Sequence, residues 1–210
     1  MLAPSPDGDP RPAGDGLRRD RDALAALASR ARVRLGTTER TIRIGAVTIR
    51  LVAAGSRLSD ALWPALVPSP SAEPSTAATS ALPAAPAEVT VELWDVAEAG
   101  DPLPALSLFA ADPSAPGTAV SAGSIEAWFQ PVESAISLID HERGRAWYCV
   151  RATAELPAWE AGAPLRAILR WALADHGLHL VHAAGLGHDG QDGQDGRGIL
   201  LTGRGGSGKS

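Results

Sequence analysis

The tightest constraint on this chain is a short apolar run that passes without a break into a glycine-rich octapeptide. Gly198-Ile199-Leu200-Leu201-Thr202 reads as a strand, and Gly203-Arg204-Gly205-Gly206-Ser207-Gly208-Lys209-Ser210 follows it directly. The octapeptide fits the Walker A pattern GxxxxGK[ST]. Its glycines allow the backbone to turn N–H groups inward around a phosphate, in conformations that a side chain would forbid. Lys209 is placed to bridge the β- and γ-phosphates of a nucleotide, and the Ser210 hydroxyl to ligate magnesium. N–H groups at the start of a following helix would complete the cradle.

Composition sharpens this reading. Of the 19 basic residues only Lys209 is a lysine; the rest are arginine. A GC-rich coding sequence accounts for the scarcity of lysine, but not for where the one lysine stands. Residue frequencies give the pattern by chance on the order of 1% of the time in a chain this long. A Gly/Ser-rich tail that happens to hold a lysine is the bland alternative.

Other function classes fall away on simple counts. With 24 acidic and 19 basic side chains the formal charge is -5, which argues against a nucleic-acid-coating protein. No run approaches the ~18 apolar residues of a membrane-spanning helix, and the first 20 residues lack the apolar core of a secretion signal. Cys149 is the only cysteine, so no internal disulfide forms and a reducing cytoplasmic setting suits the chain. Hydrophobic residues at 45% suffice for a substantial core in 210 residues.

Along the chain, Met1 to Gly16 reads as a disordered lead, rich in Pro and Gly. Residues 17–158 form a helix followed by a β-rich region. Leu24, Leu27 and Ala28 set helical spacing within Leu17 to Leu35, and the period changes to two from Thr41. The phase slips at Gly45-Ala46, which predicts a tight hairpin or a bulge. Arg57 to Val67 is a short helix with Ser59 as its N-cap, interrupted or ended near Pro64. The Pro/Ala/Ser/Thr stretch over 68–87 reads as a flexible surface insertion. Val89 to Val96 resumes as a strand, and Asp101 to Gly123 carries little structural signal. Ala135 to Ile139 and Arg145 to Arg151 frame a hairpin, with His141 as a solvated turn residue and Cys149 in the core.

Residues 159–210 form the third section. Pro164 stands at the first position of a helix and Gly177 at its end. Leu165, Ile168, Leu169, Ala172 and Leu173 make one apolar stripe, with Arg166 and Arg170 off it. His176 in the last turn meets the helix dipole. Leu178 to Leu186 is a short strand, and Asp189 to Gly196 a turn-forming repeat whose Asp192 and Asp195 are too freely placed for ligands.

Taken together, the Pro164–Gly177 helix, Leu180-Val181-His182-Ala183-Ala184, the glycine-bearing hairpin and Gly203–Ser210 resemble the HPr kinase/phosphorylase-like proteins. These share a P-loop fold with ATP-dependent phosphoenolpyruvate carboxykinase. The match runs from about Trp159 to Ser210 and is closest to the branch described as serine kinases or ATP-binding proteins. The resemblance implies an α/β class (mixed α+β): a β-rich N-terminal region leading into a kinase core with a mixed sheet. It also implies ATP with magnesium and phosphoryl transfer to a hydroxyl, on a protein serine or a small molecule. By position His182 is similar to the family's histidine near the transferring phosphate; strand phase alone makes a core histidine equally acceptable. His179 and His188 are assigned to surface strand and loop.

The general base and the metal-binding acids of such kinases are expected beyond Ser210, so the chain reads as the front part of a longer protein or a gene broken at this point. On that expectation the chain alone binds ATP weakly or not at all and is inactive. The other reading kept open is a nucleotide-dependent binding or regulatory module without transfer; a transporter or motor ATPase ranks below both, because such proteins carry the loop early in their domain. The acceptor is left open, as is the oligomeric state, a homo-oligomer included.

Overall fold

Alternation of apolar and polar side chains builds the centre of the molecule. The structure is a computed structural model that describes residues 13–66, 87–102, 106–107, 118–132, 134–181, 183–188 and 197–202. Seven strands form one mixed sheet: β1 (Thr37–Ile44), β2 (Val47–Ala54), β3 (Ala87–Asp95), β4 (Thr118–Ala122), β5 (Ile125–Gln130), β6 (Ala135–Asp140) and β7 (Arg145–Val150), in the order β1-β2-β3-β7-β6-β5-β4. β3 lies parallel to both β2 and β7, and every other neighbouring pair is antiparallel. Parallel neighbours need a crossover, and α2 (Arg57–Leu66) lies in the connection between β2 and β3.

One face of the sheet packs on α2 and α5 (Arg166–Ala174), where Ile49, Leu51, Val91 and Tyr148 meet Leu58, Leu62, Ile168 and Ala172. The other face packs on α1 (Ala13–Leu35) and the short α3 (Val96–Ala99), where Trp94, Trp147, Cys149 and Ile136 meet Leu24, Leu27, Ala28 and Ala31. The buried positions of α1 recur at three, four and seven residues, the stripe of a helix with one buried side. The helix ends at Gly36, in the left-handed region at φ 74°, with its N–H bonded to the Arg32 carbonyl. A second, two-stranded antiparallel sheet pairs β8 (Ala183–His188) with β9 (Arg197–Thr202). The α4 turn (Ala158–Gly162) precedes α5. The class is therefore mixed α+β, as expected from the sequence.

Several local expectations are corrected. α1 begins at Ala13, so Gly14 to Gly16 belong to a helix and not to a disordered lead; Gly16 is buried. Ser59 lies inside α2 and not at its cap: its hydroxyl donates back to the Ser56 carbonyl at 2.9 Å. The free N–H groups of Ser56 and Arg57 are instead taken by the Glu98 carboxylate. Pro64 sits within α2, which runs on to Leu66. Helix α5 starts at Arg166, two residues after Pro164. Leu178 to Val181 are not strand, and β8 begins at Ala183. Strands β4 and β5 arise where no strand was expected. The insertion over 68–87 lies outside the described residues up to 86, and Ala87 opens β3.

The predicted hairpins are present. Gly45 turns at φ 60° between β1 and β2, and Gly144, at φ 57°, closes the turn between β6 and β7. Among the described residues no helix is long and apolar enough to cross a membrane.

Candidate phosphate-loop site and the charged sheet face

The strand predicted to feed the glycine loop is present. β9 ends at Thr202, one residue before Gly203, and pairs with β8 from Ala183↔Thr202 to His188↔Arg197. The run Ile199-Leu200-Leu201-Thr202, apolar with a β-branched residue at each end, favours this extended form. His182, Gly203, Arg204, Gly205, Gly206, Ser207, Gly208, Lys209 and Ser210 themselves lie outside the described residues, as does the Asp189–Gly196 repeat. His179 is exposed in the segment that leads to β8, and His188 is the last residue of β8.

The helix ahead of this hairpin is firmly anchored. Leu165, Ile168, Leu169, Ala172 and Leu173 are all buried, while Arg166 and Arg170 face solvent. Its end is closed by two bonds, Leu178 N–H to the Leu173 carbonyl and Gly177 N–H to the Ala174 carbonyl, with Gly177 at φ 68°. That pair of bonds around a left-handed glycine is the Schellman stop that the sequence signals at Gly177. Leu165, at φ 60°, is held in a region unusual for leucine by complete burial of its side chain. Below the helix, buried Glu160 accepts bonds from the Tyr148 hydroxyl and the Arg166 guanidinium, both at 3.0 Å.

His141 is not a solvated turn residue. Its Nδ1 lies 2.5 Å from Asp175 Oδ2, just past the end of α5, and its Nε2 lies 3.3 Å from Glu126 Oε1 on β5. The β6–β7 turn, β5 and the helix end thus meet at one imidazole. Cys149 is fully buried, and loss of solvent pushes its thiol pKa well up, so it is a core residue as expected.

Sequence reasoning missed a second polar centre, on the sheet face that α1 only partly covers. Strand register puts three rows on that face. Ala54, Trp94, Cys149 and Ile136 lie abreast; beside them come Glu39, Val52, Glu92 and Trp147; the third row holds Thr41, Arg50, Thr90, Arg145 and Asp140. Moving along the strands, the face changes from aromatic and apolar to charged. Glu92 is 2% exposed and is met by Arg145 from β7 and, at 3.7 Å, by Arg32 from α1. Arg145 also lies over the Trp147 ring, 5.8 Å from its centroid. Glu39 takes two bonds from Arg50, at 3.1 and 2.8 Å, which holds the Arg50 proton more firmly than usual.

At the next strand Asp140, 1% exposed, is bonded at 3.0 Å by Arg21 of α1. Burial opposes the charge on Arg21, but bonds to Asp22 and Asp140 outweigh it and raise the guanidinium pKa. The signal for this centre was present as alternation, Thr48-x-Arg50 and Glu88-x-Thr90-x-Glu92, polar at one phase of otherwise apolar strands. Among the described residues there is no group of three or more His, Cys, Asp or Glu side chains able to hold a metal ion.

In comparisons with known proteins, no family model, no curated protein and no solved structure matches this chain.

Proposed function

We propose that the chain carries the nucleotide-phosphate loop of an ATP-binding protein of the HPr kinase/phosphorylase type, which transfers the γ-phosphate to a serine or another hydroxyl. The observation that carries this reading is the β8–β9 hairpin, whose second strand delivers Thr202 directly to the Gly203–Ser210 pattern. A strand running into a glycine loop is the first half of the strand–loop–helix context in which the pattern binds phosphate. Lys209 is the cation for the β- and γ-phosphates, Ser210 the magnesium ligand, and the glycine N–H groups the cradle. His182, immediately before β8, is the residue assigned to the neighbourhood of the transferring phosphate. The setting is cytoplasmic.

The test is magnesium-dependent ATP binding, by calorimetry, to the full-length product of the gene, followed by transfer of labelled γ-phosphate to a serine-bearing acceptor. Lys209→Ala is expected to abolish both. Binding that survives Lys209→Ala refutes the loop assignment, whereas Lys209-dependent binding without transfer marks a nucleotide-switched binding module instead.

A further inference from the structure

We propose that the charged half of the sheet face is a second site, separate from the glycine loop, that takes a small oxyanion, a phosphoryl or carboxylate group. A cleft of about 450 Å³ opens there, within the range of small-ligand pockets. Among the described residues four arginines line it: Arg32 from α1, Arg50 from β2, and Arg143 and Arg145 from the β6–β7 turn and β7. Arg50 and Arg145 flank Thr90 in one row of the sheet, so two planar forks rise on either side of a short hydroxyl side chain.

The donor count decides the ligand class. Each guanidinium offers five N–H donors and no acceptor. Among the described residues the carboxylates that line the cleft are Glu39, Glu88 and Glu92, one fewer than the arginines, in a chain whose net charge is -5. Glu39 is engaged by Arg50, and Glu92 by Arg145 and Arg32. Arg143 reaches Asp140 outside the cleft at 3.4 Å. The four side chains remain 35% to 57% exposed, so their donors stay open to a ligand. A donor surplus on planar, fixed forks suits an acceptor-rich oxyanion, bound bidentately.

Glu92 is what separates this centre from an ordinary solvated charge ladder. It is buried at the floor, its Oε2 has no hydrogen-bond partner among the described residues, and its Oε1 holds Arg145 and Arg32 in place. Two of the forks are thereby ordered before any ligand arrives, which removes part of the cost of binding.

The test is a titration of the Lys209→Ala protein, so that the glycine loop does not contribute. Inorganic phosphate and succinate are added separately at constant ionic strength of ~0.15 M, where charges beyond ~8 Å are screened. Arginine Nε–H resonances are followed by NMR. Saturable shifts at Arg50, Arg143 and Arg145 are expected with at least one of the two; phosphate alone identifies a phosphoryl ligand, succinate alone a carboxylate. Arg50→Ala and Arg143→Ala, both half-exposed side chains, are each expected to weaken binding about tenfold, the equivalent of ~1.4 kcal/mol, with the circular dichroism spectrum unchanged. Shifts that never saturate, or that persist undiminished in the Arg50→Ala/Arg143→Ala double variant, overturn the proposal. Shifts seen only when Lys209 is intact overturn it too, by assigning the anion to the glycine loop.

Discussion

Removing Asp140 should cost far more than removing an exposed acid, because it is the buried partner that ties α1 to the sheet. Its carboxylate is 1% exposed and accepts from Arg21 at 3.0 Å, from the Arg143 backbone N–H at 3.3 Å and from Ser124 at 3.5 Å. The Arg21 side chain is only 12% exposed and its other acid, Asp22, is largely solvated. Losing one charge-assisted hydrogen bond costs about 1.5–3 kcal/mol, and stranding a buried charge raises the toll toward ~3–5 kcal/mol. The remaining Asp22 contact tempers that, so Asp140→Ala is expected to destabilise by about 3 kcal/mol. In a chain this size that lowers Tm by about 6–12 °C.

Urea unfolding followed by tryptophan fluorescence reads the effect, since Trp94 and Trp147 are buried in the core that α1 covers. Arg21→Ala should cost a similar amount. The double variant should cost ~2 kcal/mol less than the sum, the signature of a direct pair. The exposed Arg18–Asp15 pair, 3.2 Å apart, serves as the control and should couple by less than ~0.5 kcal/mol. If Asp140→Ala costs under ~0.5 kcal/mol, or if the two variants are additive, the pair does not hold α1 to the sheet.

Three further outcomes follow from the same structure. Ile168→Ala, at a fully buried position of α5, should cost about 2–5 kcal/mol in urea unfolding, while Arg170→Ala on the solvent side should stay within ~0.5 kcal/mol. Gly144→Ala places a Cβ 3.0 Å from the Glu88 carbonyl oxygen, at φ 57°, and should cost more than the ~1 kcal/mol of a left-handed alanine alone; a neutral substitution would show that the turn shifts freely. Because burial raises the Cys149 thiol pKa, the unfolded chain releases this proton first. The stability is therefore complete below an unfolded thiol pKa of ~8.5 and declines above it by up to ~1.4 kcal/mol per pH unit; Cys149→Ala should remove that part of the slope in unfolding curves taken across alkaline pH.

The elements legible in the sequence are those whose signal is local. The α5 stripe, the Gly177 stop and the Gly45 and Gly144 turns each depend on residues within one or two turns of chain, and each stands where the periodicity put it. Strands β4 and β5 were not legible because β4 is Thr-Ala-Val-Ser-Ala within an Ala/Ser/Pro-rich stretch, where apolar and polar positions differ little. Burial of Ile125 and Ala127 beneath α1 decides their state, and that contact joins residues about a hundred positions apart. His141 was misread for a related reason: its partner Asp175 is 34 residues away, brought there by the packing of α5 on the sheet.

The charged face shows the limit of reading by pattern. Each strand displays its own alternation, but adjacency of Arg50, Thr90 and Arg145 requires β3 to lie parallel between β2 and β7, a pairing no local signal encodes. Once that order exists, one helix decides the rest. The apolar side chains of α1 cover Trp94 and Trp147, so those positions can be aromatic and buried. The row built on Thr90 faces the cleft, where water can solvate its charges. Glu92 lies at the border between the two, buried by the first environment and ionically bound by the second. A carboxylate that served only folding could be replaced at little cost by an apolar residue filling the same space together with its arginines. One that holds two arginines at the mouth of a cleft cannot be so replaced without losing whatever those arginines bind. The choice between a structural and a binding role for this centre therefore turns on the arginines, and the anion titration is the measurement that separates them.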